Sequence, residues 1–316
     1  MRNFAVFGQG FVGGSLTTVF TERGFNVFSF DITGKIANGG IDLLSKDDYK
    51  LSSTAPVKFI HECESTKDFS GVYFVCLPTP MLSSGAADLS IVESVLDILA
   101  NNPYQGSSSK RIVVIKSTIP PGSVERWNRK YNNKNLYVVF NPEFLTEANA
   151  LNDMRNQNRI ILGGPRPWIN IVKMIFQTAF PKVRLIKTSS TTAEMVKYVT
   201  NCFLATKVAF ANEMYQTCFE LNEHGLNVDY DKVIEYAKHD HRLGETHWAV
   251  PGPDGNYGFG GHCFPKDLNA LMFLANKYGV LPTVLQAVWN KNMEVRQKKD
   301  RDWETQVGRA VSAETL

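Results

Sequence analysis

Asn3-Phe4-Ala5-Val6-Phe7-Gly8-Gln9-Gly10-Phe11-Val12-Gly13 runs an apolar stretch of strand length straight into a G-x-G-x-x-G turn, with a helix predicted from about Val12. Glycines at these places permit a tight turn and close approach to the backbone. The helix that follows offers unpaired N–H groups and a partial positive charge, which is what a pyrophosphate requires. A second predicted strand ends at Asp31, where a carboxylate can accept hydrogen bonds from both hydroxyls of a ribose and would repel a 2′-phosphate. Strand, glycines and acid together predict a site for NAD rather than NADP, made by Gly8, Gly10, Phe11, Val12, Gly13 and Asp31; Lys35, Thr79 and Thr118 are assigned to the same cofactor. The competing structural reading is that the glycines serve helix–strand packing and Asp31 caps a turn.

Outward from this motif, the first half alternates β-branched and aromatic runs with helical patterns, the signature of a parallel sheet covered by helices. The predicted strands are 3–7, 26–30, 71–76, 111–115, 136–140 and one near 159–162. From about Thr191 the pattern changes. Residues 193–221 contain no Gly or Pro and carry Met195, Val199, Cys202, Thr206 and Phe210 at helical spacing, which predicts one long helix stopped by Gly225. Further helical sequence follows, interrupted by a Gly- and Pro-rich loop at 250–265. The expected fold class is α/β: a Rossmann-like doubly wound parallel sheet in residues 1–190, an all-helical central domain built on one long helix in 191–297, and a polar tail, 298–316.

At 316 residues the chain exceeds what one core usually organises, and its 43% apolar and 21% charged composition is ordinary for a globular protein. The net charge of +3 is spread out, with no basic block longer than 296–299, so nothing asks for nucleic acid or an anionic membrane. Five cysteines in unrelated contexts suit reduced thiols better than a disulfide framework, though the count is compatible with one bridge. With no extended apolar h-region at the N-terminus and no run of about 18 apolar residues, the expectation is a cytoplasmic protein, neither exported nor membrane-spanning.

Three other predicted strands are followed by turn-forming polar motifs: Leu77-Pro78-Thr79-Pro80, Ser117-Thr118-Ile119-Pro120-Pro121-Gly122 and Asn141-Pro142-Glu143-Phe144-Leu145-Thr146-Glu147. In an all-parallel sheet every carboxyl end lies on one edge, so these motifs converge with the glycine loop. Singly, each also reads as an ordinary turn. Thr118 offers a hydroxyl and Glu143 a carboxylate, a pair able to hold and deprotonate a water. If Phe144 onward is helical, Glu147 shares a face with Glu143; otherwise Glu147 caps or pairs with Arg155 or Arg159.

The most informative segment is Tyr257-Gly258-Phe259-Gly260-Gly261-His262-Cys263-Phe264-Pro265-Lys266-Asp267. Glycines before Cys263 let a substrate approach the backbone, and Pro265 suits a first helical turn, which predicts Cys263 at a helix N-terminus. That position and nearby Lys266 lower a thiol's pKa, and Asp267 lies one turn on. The bland alternative is a buried structural thiol; Cys63, Cys76, Cys202 and Cys218 fall within apolar patterns and read as small core residues. On the long helix Lys197 and Asn201 are spaced i,i+4, away from the Met195–Val199–Cys202 stripe, and make either an oxyanion clamp or a solvated face. A zinc site from His239-Asp240-His241, His247 and His262-Cys263 is disfavoured, since the spacings match no compact ligand pattern and ligation would consume the nucleophile; no metal is expected.

Together these residues resemble the UDP-glucose/GDP-mannose dehydrogenase family, in order along the chain to roughly Lys298. The resemblance is carried by the glycine loop, 77–80, 116–122, 141–147 with Asn158-Arg159, 194–213, 240–244 and 258–267. It implies an NAD-dependent four-electron oxidation of the primary alcohol of a nucleotide sugar to a uronate, UDP-glucose to UDP-glucuronate being the expected case. Cys263 would be the nucleophile. Asp267, with a bound water and Lys197, would help remove the alcohol proton. Lys197 and Asn201 would hold the oxygen of a thiohemiacetal, and Thr118 and Glu143 would position the water that hydrolyses the thioester. The resemblance also implies substrate contacts from Glu147, Lys197, Asn201 and Gly260, an arginine at Arg242 reaching the substrate across a dimer interface, and a homodimer formed through the long helix. Family members continue for roughly another hundred residues, a further Rossmann-like domain over the nucleotide; this sequence ends at Leu316, has His262 where a serine is usual, and is shorter in 33–68. Two rivals remain: a β-hydroxyacid dehydrogenase, which makes one hydride transfer without a cysteine, and a binding module without turnover.

Overall fold

The apolar runs of the first half form strands because both faces of each are buried. The computed structural model describes residues 3–103 and 110–315; Met1, Arg2 and Leu316, within the ranges read from the sequence, lie outside these. Seven strands are found among the described residues: β1 (Asn3–Phe7), β2 (Asn26–Phe30), β3 (Val72–Val75), β4 (Arg111–Ile115), β5 (Leu136–Phe140), β6 (Arg159–Gly163) and β7 (Arg184–Thr188). They form one sheet in the order β2-β1-β3-β4-β5-β6-β7. Phe4 and Val6 pack on one face with Leu16 and Phe20 of the helix Phe11–Glu22, while Ala5 and Phe7 pack on the other with Phe59, Leu96 and Trp127. Alternation along a single strand thus feeds two cores.

The α/β, Rossmann-like reading stands, with two changes. Strands β1 to β5 are parallel, but β6 runs antiparallel to β5, joined at Phe140–Gly163, and β7 is parallel to β6. The sheet is therefore mixed, and the convergence of motifs holds for the loops after β1, β3, β4 and β5, all inside the parallel set. Strand β7, unexpected from sequence, is Arg184-Leu185-Ile186-Lys187-Thr188, a half-exposed edge whose charges break the apolar run.

The described residues within Met1–Thr79 and Leu89–Lys197 pack as one unit, and those within Pro80–Asp88 and Tyr198–Leu316 as a second. The 34-residue helix Ser190–Glu223 begins in the first and continues in the second. In the second unit Cys202, Ala205 and Ala209 of this helix pack with Leu268 and Met272 of the helix Phe264–Lys277 and Val288 of the helix Thr283–Val295. Residues 298–315, polar by composition, bury Trp303 and return to residues 80–88: the Met81 N–H donates to the Ala310 carbonyl (2.8 Å) and the Ser312 N–H to the Met81 carbonyl (2.8 Å). None of the five cysteines is in a disulfide. No helix among the described residues is long and apolar enough to cross a membrane.

The long helix splits the expected pattern. Of the apolar stripe Cys202 is buried, whereas Met195, Val199 and Phe210 are 39–54% exposed and neighbouring Phe203 63%, and the polar Glu194, Lys197, Asn201 and Asn212 are buried. Periodicity gave the helix but not which face turns inward. Glu194 explains part of this: its carboxylate accepts the N–H of Gly122 (2.6 Å) and of Val124 (2.8 Å), capping the helix Ser123–Lys130 from across the unit. Burial pushes its pKa from the ordinary 4.5 up to about 7, against the pull of those two N–H groups.

A carboxyl raised in the folded state stabilises most when protonated in both states, below about 4.5, and that contribution is lost as pH rises through about 7. The full loss is on the order of 3 kcal/mol. Glu194→Gln, which cannot ionise, should therefore gain thermal stability relative to the parent chain as pH climbs through that window and keep a constant offset above it. An offset independent of pH in melting curves would show that Glu194 does not titrate there.

Candidate active site

The glycine loop answers two demands. A Cβ on Gly13 would lie 1.8 Å from the Gly8 carbonyl oxygen, so this glycine is fixed by packing, as the structural reading required. Gly10 differs: a Cβ there would meet nothing within 4 Å. Packing does not explain it, and it is the N-cap of the helix Phe11–Glu22, a position from which it offers no side-chain cap. Phe11 and Val12 open that helix. The strand order reverses between β1 and β3, which sets the crevice of a doubly wound sheet at this loop. These residues fit a dinucleotide. Asp31 follows β2 directly, but its carboxylate already accepts the Gln9 N–H (2.8 Å), the Thr33 N–H (3.0 Å) and the Thr33 hydroxyl (2.6 Å). A ribose would share it with, or displace, Thr33. Lys35 is exposed nearby.

The loops after β3 and β4 are knitted together: the Thr79 hydroxyl donates to the Thr118 carbonyl (2.7 Å) and the Leu77 N–H to the Ser117 hydroxyl (2.9 Å). Thr118 is left half-buried beside them. After β5, the Glu143 side chain is 9% exposed and ion-paired: Lys197 Nζ lies 2.7 Å from Glu143 Oε1 and donates also to the Glu143 carbonyl (2.7 Å), while Oε2 accepts the Leu145 N–H (2.7 Å). Burial alone would raise the Glu143 pKa. The Lys197 ammonium, the Leu145 N–H and Lys116 outweigh it and hold the carboxyl below its usual range. Lys197, at 3% exposure, is thus neither a solvated face nor a bare clamp.

Sequence reasoning missed Lys116. It is buried, donates to Asn141 Oδ1 (2.8 Å), and is pushed down by burial and the Lys197 charge despite Cys76 and Glu143. Asn141, read as a turn starter, in turn donates to the Ile161 carbonyl (2.8 Å) and so pins β6. A lysine directly after the apolar run of β4 was the available signal. Two ammonium groups face one carboxylate here, an excess of positive charge suited to an oxyanion.

Residues 144–146 are not helical, and Glu147 opens a short 3-10 turn, Glu147–Asn149, so the common face with Glu143 does not form. The exposed Glu147 is not matched to Arg155, which pairs with Glu22. Arg159 stacks on Phe144, 4.3 Å from its centroid.

In the second unit Cys263 is the N-cap of the helix Phe264–Lys277, with Pro265 in the first turn. The thiol is half-buried, and Asp267, one turn on, is buried at 1% exposure. Asp267 accepts a hydrogen bond from Asn201 Nδ2 (2.6 Å) and is ion-paired with Lys266. Lys266, expected beside the thiol, is engaged by this carboxylate instead, because a buried acid must be compensated. Gly260 is closed on its Cα side by Arg296 and Asp302. Arg242 is exposed and chelated by Asp240, on a turn that Lys207 holds by donating to the carbonyls of Leu243 (2.9 Å) and Thr246 (2.7 Å).

Comparison with known proteins agrees with this anatomy. Residues 2–179 match the NAD binding domain, and residues 191–294 the central domain, of the UDP-glucose/GDP-mannose dehydrogenase family. The chain is 31% identical over 317 aligned positions to the UDP-glucose 6-dehydrogenase TuaD of Bacillus subtilis, covering 94% of this chain and 64% of that protein. It is 30% identical to the UDP-N-acetyl-D-mannosamine dehydrogenase of Pyrococcus horikoshii, covering 83% and 62%. A solved UDP-glucose dehydrogenase from Pyrobaculum islandicum superposes with a TM-score of 0.74 at 26% identity, covering 93% of this chain and 68% of that one. The chain thus spans about two thirds of the length of these relatives, and with both domain models matched in order it belongs to the UDP-glucose/GDP-mannose dehydrogenase family.

Proposed function

We propose that this chain oxidises the primary alcohol of a nucleotide sugar, UDP-glucose in the first instance, to the carboxylate through a covalent adduct on Cys263. The observation that carries the reading is Cys263 at the N-cap of a helix whose first turn buries Asp267 against Asn201. A helix N-terminus favours the thiolate, and a buried carboxylate one turn along is able to receive a proton.

NAD, held by Gly8, Gly10, Phe11, Val12, Gly13 and Asp31 with Thr79 and Lys35 at the rim, supplies the hydride acceptor for each two-electron step. The chain's own part begins with Asp267 and Lys197, which take the hydroxyl proton through a water as the alcohol carbon is oxidised to the aldehyde. The Cys263 thiolate then forms a C–S bond to that carbon. Lys197 and Asn201, one helical turn apart, stabilise the resulting oxyanion, which is protonated to a thiohemiacetal. Oxidation of this adduct leaves a thioester. Water oriented by Thr118 and Glu143 adds to the thioester carbon, the C–S bond breaks, and the thiolate departs to leave the uronate. Because Glu143 is held below the ordinary range it is a weak base, and its part is to orient the water and accept its proton late. Glu147 and Arg242 are assigned to substrate contact.

A homodimer is part of the proposal. It is supported by the outward-facing Val199, Phe203 and Phe210, a stripe whose burial against a second copy would remove apolar surface from water. In such a dimer the exposed Arg242 would serve the neighbouring site.

Purified protein given UDP-glucose and NAD should form two NADH per sugar consumed, and one NADH would favour the β-hydroxyacid alternative. Cys263→Ala should lose activity on the order of a thousand-fold or more; full retention would end the proposal. Glu143→Gln should slow turnover by about a hundred-fold or more and let a Cys263 acyl adduct accumulate to detection by mass spectrometry. Light scattering should give twice the chain mass, and Phe203→Glu should halve it; a monomeric parent would remove the dimer.

A further inference from the structure

The chemistry above leaves residues 296–306 without a task, yet they hold the backbone just ahead of Cys263. All of this segment lies beyond residue 294, where the match to the central-domain model stops. Arg296 is buried: its Nη2 donates to Asp254 Oδ2 (2.6 Å) and lies 3.4 Å from Asp302 Oδ1, its Nε donates to the Asp300 carbonyl (2.8 Å), and its Nη1 to the Tyr257 carbonyl (3.3 Å). A guanidinium with its planar donors this fully engaged fixes geometry as well as charge. Both carboxylate oxygens of Asp302 accept the Gly261 N–H, at 3.1 and 3.0 Å. Gln306 donates Nε2 to Asp302 (3.2 Å), and its Oε1 lies 3.2 Å from His262 Nδ1. The buried Trp303, its ring 6.0 Å from that of Trp289, anchors the turn.

The glycines of the loop are explained by the same contacts. A Cβ on Gly260 would lie 2.3 Å from Arg296 Nη2 and 2.4 Å from Asp302 Oδ1, so glycine at this position admits the Arg296–Asp302 pair. Gly261 has a left-handed φ of +70° and no neighbour within 4 Å of a Cβ. Packing does not hold it there. The carboxylate of Asp302 does.

We infer that Asp302, braced by Arg296 and Gln306, is a positioning residue for the nucleophile: by holding the Gly261 N–H it fixes the turn that sets Cys263 at the N-cap of its helix. The inference rests on the reading of Cys263 as nucleophile, but its test does not need turnover. The pH dependence of Cys263 alkylation by iodoacetamide is followed by peptide mass spectrometry in the full chain, for the parent, Asp302→Ala and Asp302→Asn. Asparagine removes the charge but keeps an oxygen to accept the Gly261 N–H, so the difference between the two variants reports the acceptor alone.

Loss of the turn should take the thiolate off the helix end. The midpoint for Asp302→Ala should then lie about half a pH unit or more above that for Asp302→Asn. In turnover Asp302→Ala should lose kcat about ten-fold with the KM for NAD unchanged, and Asp302→Asn should recover most of it. Equal midpoints in the two variants would overturn the inference. So would faster alkylation of the buried Cys63, Cys202 and Cys218 in step with Cys263, the sign of general loosening. Should Asp302→Ala fail to fold, Gln306→Ala, which removes only the His262 and Asp302 contacts, is to shift the midpoint in the same direction, and no shift would overturn the inference. If Cys263→Ala keeps its activity the proposed function falls, while the alkylation comparison still decides the role of Asp302.

Discussion

A carboxylate taken out of water must be met by a cation or by several N–H donors, or it gives up its charge. In this protein Glu143 is met by Lys197 and the Leu145 N–H, Asp267 by Asn201 and Lys266, and Glu194 by the N–H groups of Gly122 and Val124. Three of those residues, Glu194, Lys197 and Asn201, stand on the helix Ser190–Glu223, within two turns of one another. That requirement turns the polar face of the helix inward. It also makes Glu143, Lys197, Asn201 and Asp267 parts of fixed pairs before any substrate arrives, the condition under which electrostatic stabilisation costs little reorganisation during reaction.

The inward polar face has an outward consequence. With Glu194, Lys197 and Asn201 buried, Met195, Val199, Phe203 and Phe210 of the same helix are left facing away, Phe203 at 63% exposure. A helical pattern reports amphipathicity and says nothing of which solvent each face meets. Here the inward face is shared between Cys202, Ala205 and Ala209 and the polar residues that pair with buried carboxylates, and the larger apolar side chains are turned outward.

The nucleophile loop is governed by different physics. Glycine-rich turns are permissive, and permissiveness is a cost where a thiol must be aimed to within a fraction of an ångström. Asn212 and Asn292 take the N–H groups of Gly258 and Phe259, and Asp302 takes that of Gly261, so three peptides of the loop are held from outside it. Gly260 is required by Arg296 and Asp302, whereas Gly10, with open space around it, keeps the ligand-directed reading that the sequence suggested.

Strand, turn and helix of the glycine loop, the alternation of sheet and helix, the long uninterrupted helix and the N-cap position of Cys263 were all legible in the chain, because each depends on residues within a few positions of one another. Glu143, Thr118, Lys197, Asn201 and Asp267 could be singled out as candidates from their places after strands or along helices. Their partners were not. That Lys197 meets Glu143, that Lys116 is buried close to that pair, that Asn201 meets Asp267, that β6 runs backwards, and that a polar C-terminal segment grips Gly261 all join residues distant in sequence. Local pattern specifies which groups are present and on which element. Which buried charge neutralises which is set by desolvation in the packed chain, and only the tertiary structure decides it.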